Sequence, residues 1–233
     1  TQLVNYVIDR HYPEVKEAPN TYLKLLENVM DRHARLVSQW LHVGFIHGVM
    51  NTDNMALSGE TIDYGPCAFM DTFNRSQVFS SIDHSGRYSY GNQPQIVQWN
   101  LARLAETILP LIDKKQESAV EMAKEVIELY SERFKEYWLS GMRQKLGLFT
   151  SETEDENLIE SLLNTMHENE ADFTLTFRRL CHAALDKKMD RNLRNLFKDE
   201  EVFDKWSKSW RSRLSRESES PEERTKLMRK VNP

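Results

Sequence analysis

The stretch His47-Gly48-Val49-Met50-Asn51-Thr52-Asp53-Asn54, with Asp63-Tyr64-Gly65-Pro66 beginning nine residues after Asn54, decides how the rest of this 233-residue chain is read. Between the two lies Met55–Ile62, MALSGETI, which reads as two very short strands around a Ser58-Gly59-Glu60 turn. A hairpin brings its ends together, so Asn54 before it and Asp63 after it become spatial neighbours, with Asp53 beside them. These side chains offer hard oxygen ligands. Mg²⁺ takes few protein oxygens and keeps water and phosphate oxygens for its other positions. One Asn and one Asp therefore suit a metal carried in with a nucleotide. Asp and Asn are also common turn formers, so composition alone leaves open that Asp53 and Asn54 make a turn and Asp63 caps one.

Upstream, Tyr22, Leu25, Leu26, Val29, His33, Leu36, Val37 and Trp40 recur at i, i+3, i+4 spacing with no Pro or Gly between them. The spacing predicts an amphipathic helix over 21–42 that stops at Gly44, with His33 as a packing residue. Residues 66–94 contain Gly86, Gly91, two prolines and many polar residues, and read as an extended loop. Beyond Gln95 the pattern is helical almost throughout, over 95–109, 116–145, 155–168, 172–188, 200–215 and 221–230. The 116–145 segment carries Val120, Ala123, Ile127, Tyr130, Phe134 and Trp138 on one face, with Gly141 and Gly147 at its frayed end. Asp155, Asp172 and Ser220-Pro221 supply start signals. The expected fold is mainly α, with one small β hairpin at the site. A division follows at 1–115, which holds the loop and the Asp-Tyr-Gly segment, and 116–233, the helical remainder.

The bulk numbers narrow the class. With 39% hydrophobic and 29% charged residues the composition is that of an ordinary globular protein. No run approaches the roughly 18 apolar residues of a membrane span, and no membrane partner is expected. The net charge of −5 argues against nucleic acid as a partner. Residues 184–233 hold 14 Lys/Arg against 10 Asp/Glu, which leaves −9 for residues 1–183; the basic end reads as a solvated helical face. Two cysteines, Cys67 and Cys181, are too few for a disulfide framework and suit a reducing compartment. No Cys/His cluster has zinc spacing. The chain begins at Thr1 without a methionine and reads as a piece of a longer protein.

The order of residues in the opening stretch resembles the protein-kinase pattern, in which H-R-D-L-x-x-x-N precedes a short hairpin and D-F-G, and the Asn and the D-F-G Asp hold Mg²⁺. His47, Asn54 and Asp63-Tyr64-Gly65 take those places, and the helices on either side agree with the C-terminal lobe of a kinase. Two departures stand out. Val49 occupies the place of the catalytic aspartate and cannot accept a proton, and the interval from Asn54 to Asp63 is short. A Gly-rich loop and a β3 lysine are absent from these residues, so the N-terminal lobe is missing.

A more specific resemblance covers essentially the whole chain. GFIHGVMNTDNM from Gly44, TIDYGPCAFMD from Thr61, GRYSYGNQP from Gly86, WNLARLA from Trp99, MRQKLGL from Met142, DFTLTFR from Asp172 and the final Met228 with Val231-Asn232-Pro233 are similar to the selenoprotein O family, kinase-like protein adenylyltransferases. That resemblance implies transfer of AMP from ATP, bound in reversed orientation, to Ser, Thr or Tyr hydroxyls of protein substrates. It implies Asp53 as the proton acceptor, Asn54 and Asp63 as ligands of Mg²⁺ (or of Mn²⁺ in its place), and Asp63 also at the nucleotide. With the nucleotide reversed, a base at position 49 is no longer required. His47 is then a brace for the loop. Arg87, Tyr88 and Tyr90 either meet nucleotide or acceptor or pin their own loop to the helical lobe. The implied compartment is the bacterial cytoplasm, or the mitochondrion for a eukaryotic source. The rival readings are a silent nucleotide-binding pseudokinase and an atypical protein kinase, and the 233 residues alone are expected to be inactive.

Overall fold

A computed structural model describes residues 1–233. Ten helices and one two-stranded antiparallel sheet make up its regular structure, apart from short 3₁₀ turns: α1 (Gln2–His11), α2 (Thr21–His42), β1 (Phe45–Ile46), β2 (Ala68–Phe69), α3 (Gln93–Ile112), α4 (Gln116–Glu128), α5 (Tyr130–Leu146), α6 (Asp155–Glu168), α7 (Phe173–Leu185), α8 (Asp190–Arg194), α9 (Glu200–Leu214) and α10 (Pro221–Val231). The fold is mainly helical, as the sequence pattern predicts.

Helix α2 organises the first half. Asn20 caps it, its side-chain oxygen accepting from the Leu23 N–H at 3.1 Å, which satisfies one of the four free donors of a helix start. The predicted stripe is the buried one: Leu25, Leu26, Val29, His33 and Val37 all face inward. They join α1, α3, α4 and the start of α5 in a cluster of 23 buried apolar residues. A second cluster of 26 is built from the end of α5, α6, α7, α9 and α10. Burial of one large apolar side chain contributes about 1.5–3 kcal/mol, so each cluster is a substantial core.

The segment that carries the site is wedged between these cores. On β1, Phe45 points into the first cluster and Ile46 into the second, the alternation a strand imposes. Met50 then joins the first cluster, while Met70, Phe73 and Tyr90 join the second. A polar loop is thus fixed at both ends by apolar anchors.

Four expectations need correction. Residues 55–62 do not form a hairpin of two strands. They contain a single antiparallel bridge, Met55 to Thr61, and the two-stranded ladder instead pairs Phe45 with Phe69 and Ile46 with Ala68. The segment is too short and too poor in β-branched residues for more than one rung. The helix expected over 116–145 is interrupted at Leu129, because α4 packs on α3 while α5 packs on α2, and one straight axis cannot serve both. Val120, placed on the apolar face of that single helix, is consequently exposed. Gly141 does not mark a frayed end. It lies inside α5 under the His42 ring, where a Cβ would come within 2.0 Å of the ring carbon Cε1. Finally, the basic C-terminal end is not merely a solvated face, since Arg213 and Arg224 are buried. Helix α1 and the short α8 were not anticipated, and α7 ends at Leu185, where Asp186 starts a 3₁₀ turn.

Candidate active site

His47, the first residue of the loop, is fully buried. Its Nε2 lies 2.8 Å from the carbonyl of Ile62, an acceptor, so Nε2 carries the hydrogen and donates it. The bond ties the entry of the loop to the residue before Asp63. The ring is held by Trp40 and Phe45, at centroid distances of 5.5 and 6.4 Å. His47 is therefore a brace, as read from the sequence, and has no path to solvent as a base.

Helix α3 fixes the rest of the loop with two buried amides. The Gln93 side chain accepts from the His47 N–H at 3.0 Å and donates to the Phe45 carbonyl at 3.0 Å. Asn100 donates to the Met50 carbonyl at 2.9 Å. Buried backbone groups must be paired somewhere, and these two residues do that work for the loop. Both escaped the sequence reading. Their signal is visible in retrospect: two amides seven residues apart on the apolar face that also carries Ile96, Val97 and Leu101. Gly48, with φ +88°, completes the packing, because a Cβ there would meet the Pro66 ring and carbonyl at 3.0 Å.

The Met55–Thr61 bridge closes the segment between the predicted site residues, with Asn54 one residue before it and Asp63 two residues after it in the chain. Asn54 donates its amide N–H to the Val49 carbonyl at 3.1 Å, which leaves the side-chain oxygen as a free ligand atom. Asp63 is exposed, makes no ion pair with Lys or Arg, and sits in the left-handed region at φ 53°, a conformation Asp tolerates better than most residues. Asp53 is exposed within the 3₁₀ turn Thr52–Asn54. No trio of His, Cys, Asp or Glu converges anywhere in the chain. The donor set at the bridge is one amide oxygen and carboxylates, which fits a hard divalent cation that draws its remaining ligands from water and phosphate.

The sequence model of the family described as Protein adenylyltransferase SelO matches residues 1–233. This chain belongs to the SelO family. Its sequence is 58% identical over 231 residues to a Protein nucleotidyltransferase YdiU of Rhizobium rhizogenes, covering 99% of this chain and 46% of the relative. Proteins of the same name from Bradyrhizobium diazoefficiens and Shouchella clausii are 54% and 52% identical, over 100% and 99% of this chain and 47% and 46% of theirs. The chain thus spans about half the length of the curated relatives it matches. No helix in it is long and apolar enough to cross a membrane.

In this SelO chain the loop after the Asp-Tyr-Gly segment is pinned rather than free. Asp83 accepts from the N–H groups of Arg87 and Tyr88, both at 2.8 Å. Tyr90 is buried, donates to the Leu41 carbonyl at 2.6 Å, and packs on Phe73 and Phe173. Burial pushes its hydroxyl pKa upward, so it stays neutral. Tyr88 reaches the other way and donates to the Asn51 side chain at 2.6 Å, two residues before Asp53. Arg87 stacks over the exposed Trp99 ring at 4.9 Å. Tyr88 and Tyr90 thus tie the Gly86–Pro94 segment to the SelO loop and to the helical core.

Proposed function

We propose that the full protein transfers AMP from ATP to Ser, Thr or Tyr hydroxyls of protein substrates, and that residues 1–233 form the C-terminal lobe of its kinase-like fold. The observation that supports this reading is the Met55–Thr61 bridge, which closes the segment between Asp53-Asn54 and Asp63, after a loop with Val49 at the usual base position. Membership of a family described as protein adenylyltransferases, and relatives named protein nucleotidyltransferases, support it.

Asn54 and Asp63 would hold the divalent metal, Mg²⁺ or Mn²⁺ in its place, and Asp63 would also meet the nucleotide; when bound, the metal would supply charge neutralisation for the phosphate oxygens. The acceptor oxygen forms a bond to the α-phosphorus, pyrophosphate leaves, and the hydroxyl proton passes to the Asp53 carboxylate. Asp53 acts by orienting the hydroxyl as well as by accepting its proton. His47, Gln93 and Asn100 keep the loop that carries Asp53 in place. The 233 residues alone are inactive in this reading, because the surfaces that would hold the β- and γ-phosphates lie outside them. The site belongs in the cytoplasm, with neither nucleic acid nor membrane among its partners.

The test uses the full-length protein with Mg²⁺ and ATP labelled at the α- or the γ-phosphate. Retention of α-label on protein, lost in Asp53→Ala while nucleotide binding persists, is the expected result. Retention of γ-label alone makes the protein a kinase. Bound ATP with neither label transferred makes it a silent pseudokinase.

A further inference from the structure

Arg87 is held through its main chain. Its N–H donates to Asp83 at 2.8 Å, and its carbonyl accepts from the Asn92 amide at 2.6 Å. The exposed guanidinium makes no ion pair and no hydrogen bond within the chain, and both oxygens of Asp83 are engaged by the Arg87 and Tyr88 N–H groups. It lies instead over aromatic rings, 4.9 Å from the centre of Trp99 and 5.7 Å from that of Tyr88. Arg103, one helical turn beyond Trp99 on α3, lies over the same indole at 5.2 Å. Trp99 carries both guanidinium groups and is still 45% exposed.

This cluster stands at the turn that carries Asp53. Tyr88 donates to Asn51 at 2.6 Å, and Arg103 and Thr52 line one recess between α3 and the loop. Asn51 and Thr52 are the two residues before Asp53. A solvated arginine loses side-chain entropy when it binds. Stacking on Trp99 restricts both guanidinium groups beforehand and leaves their N–H edges open. Arg103 has one carboxylate partner, the exposed Glu106, in a pair that another carboxylate can replace at little cost. The result is a preorganised surface of Arg, Trp and Tyr, the residue types that dominate binding energy at protein interfaces.

We propose that Arg87, Trp99 and Arg103 form a docking surface for an acidic stretch of the protein that accepts AMP, and so select hydroxyls flanked by Asp or Glu. The identity of that partner rests on the transferase reading above. Carboxylates of the acceptor pair with the open guanidinium edges, Trp99 supplies apolar contact, and Tyr88 keeps the surface in register with the loop. A nucleic acid would meet the same groups, but a net charge of −5 on the chain favours a protein.

The experiment uses full-length protein and two short fluorescein-labelled peptides with a central serine, flanked on each side by glutamates in one and by lysines in the other. Binding is read by anisotropy. The glutamate peptide is expected to bind at least about tenfold more tightly than the lysine peptide. Arg87→Gln and Arg103→Gln should each weaken it about threefold and leave ATP affinity unchanged, and Arg87→Glu combined with Arg103→Glu should reverse the preference. Should the double variant fail to fold, the two glutamine variants decide. Equal binding of the peptides, or no binding of either up to about 1 mM, overturns the proposal. So does a loss of ATP affinity in the glutamine variants, which puts the guanidinium groups on phosphates. Tighter binding of a short oligothymidylate, lost in the same variants, makes the surface one for nucleic acid and also overturns it. The glutamate preference without α-label on protein refutes the transferase reading and leaves the docking surface standing, whereas transfer without the preference refutes the surface alone.

Discussion

Lys145 offers the sharpest test of the packing described above. Its side chain is 2% exposed, with the ammonium 4.3 Å from the centre of the Phe177 ring and only a long contact, 3.4 Å, to the Val231 carbonyl. Burial holds its pKa at about 7, far below the ordinary 10.5. In the unfolded chain the amine keeps its ordinary affinity for a proton, so between pH 7 and 10.5 the unfolded state binds one more proton than the folded state. Stability therefore rises with pH across that window, by on the order of 2–3 kcal/mol between pH 7 and 9. Below pH 7 both states are charged and the cost of the buried cation is fully present. Lys145→Met keeps the length of the side chain and removes the charge. The variant is expected to be more stable than wild type at pH 7 and below, by up to about 4–5 kcal/mol, with the difference shrinking steadily toward pH 10. Denaturant midpoints of the two full-length proteins at pH 6 to 9 measure this. Parallel pH profiles, or a less stable methionine variant at pH 7, would refute the argument, because the ammonium would then be solvated or paired in the folded state.

Three further outcomes follow from the same structure. Arg213, 3% exposed, donates to Asp155 at 2.7 Å and Glu217 at 2.6 Å; Arg213→Met should cost about 3–5 kcal/mol, measured by denaturant unfolding, because Glu217 loses its charged partner and Asp155 keeps only Arg143. Burial raises the pKa of both acids, but their hydrogen bonds outweigh it and the net shift is downward. The stability they contribute is accordingly present above the ordinary carboxylate range and is lost as pH falls through their lowered values, so acid unfolding of wild type should be steep, and shallower in Arg213→Met. Gly141→Ala drives a methyl into the His42 ring and should destabilise by about 1–3 kcal/mol, read as a drop in Tm. Tyr88→Phe removes the bond to Asn51 and should slow AMP transfer up to about tenfold while nucleotide affinity stays unchanged; a loss of affinity instead would place Tyr88 at the nucleotide.

Helices announced themselves in the sequence wherever one apolar stripe faced one core. The bounds of α2 and α6 match the predicted 21–42 and 155–168 because the apolar periodicity is unbroken there, and Asn20 caps α2 while no side chain caps α6. The break at Leu129 was not legible, since no Pro or Gly marks it and only the competing pull of α3 and α2 creates it. At the site, the closing of the segment between Asn54 and Asp63 was readable from its turn residues, though one bridge closes it rather than two strands. Gln93 and Asn100 were not readable, because an amide on an apolar face becomes informative only when the backbone it pairs with is known.

The way the loop is anchored has an evolutionary consequence. Gln93, Asn100 and the His47 ring all grip main-chain atoms, at Phe45, His47, Met50 and Ile62, and none of them grips the side chain of residue 49. A substitution at that position leaves every one of these bonds in place. Position 49 can therefore change in evolution without the loop losing its anchors.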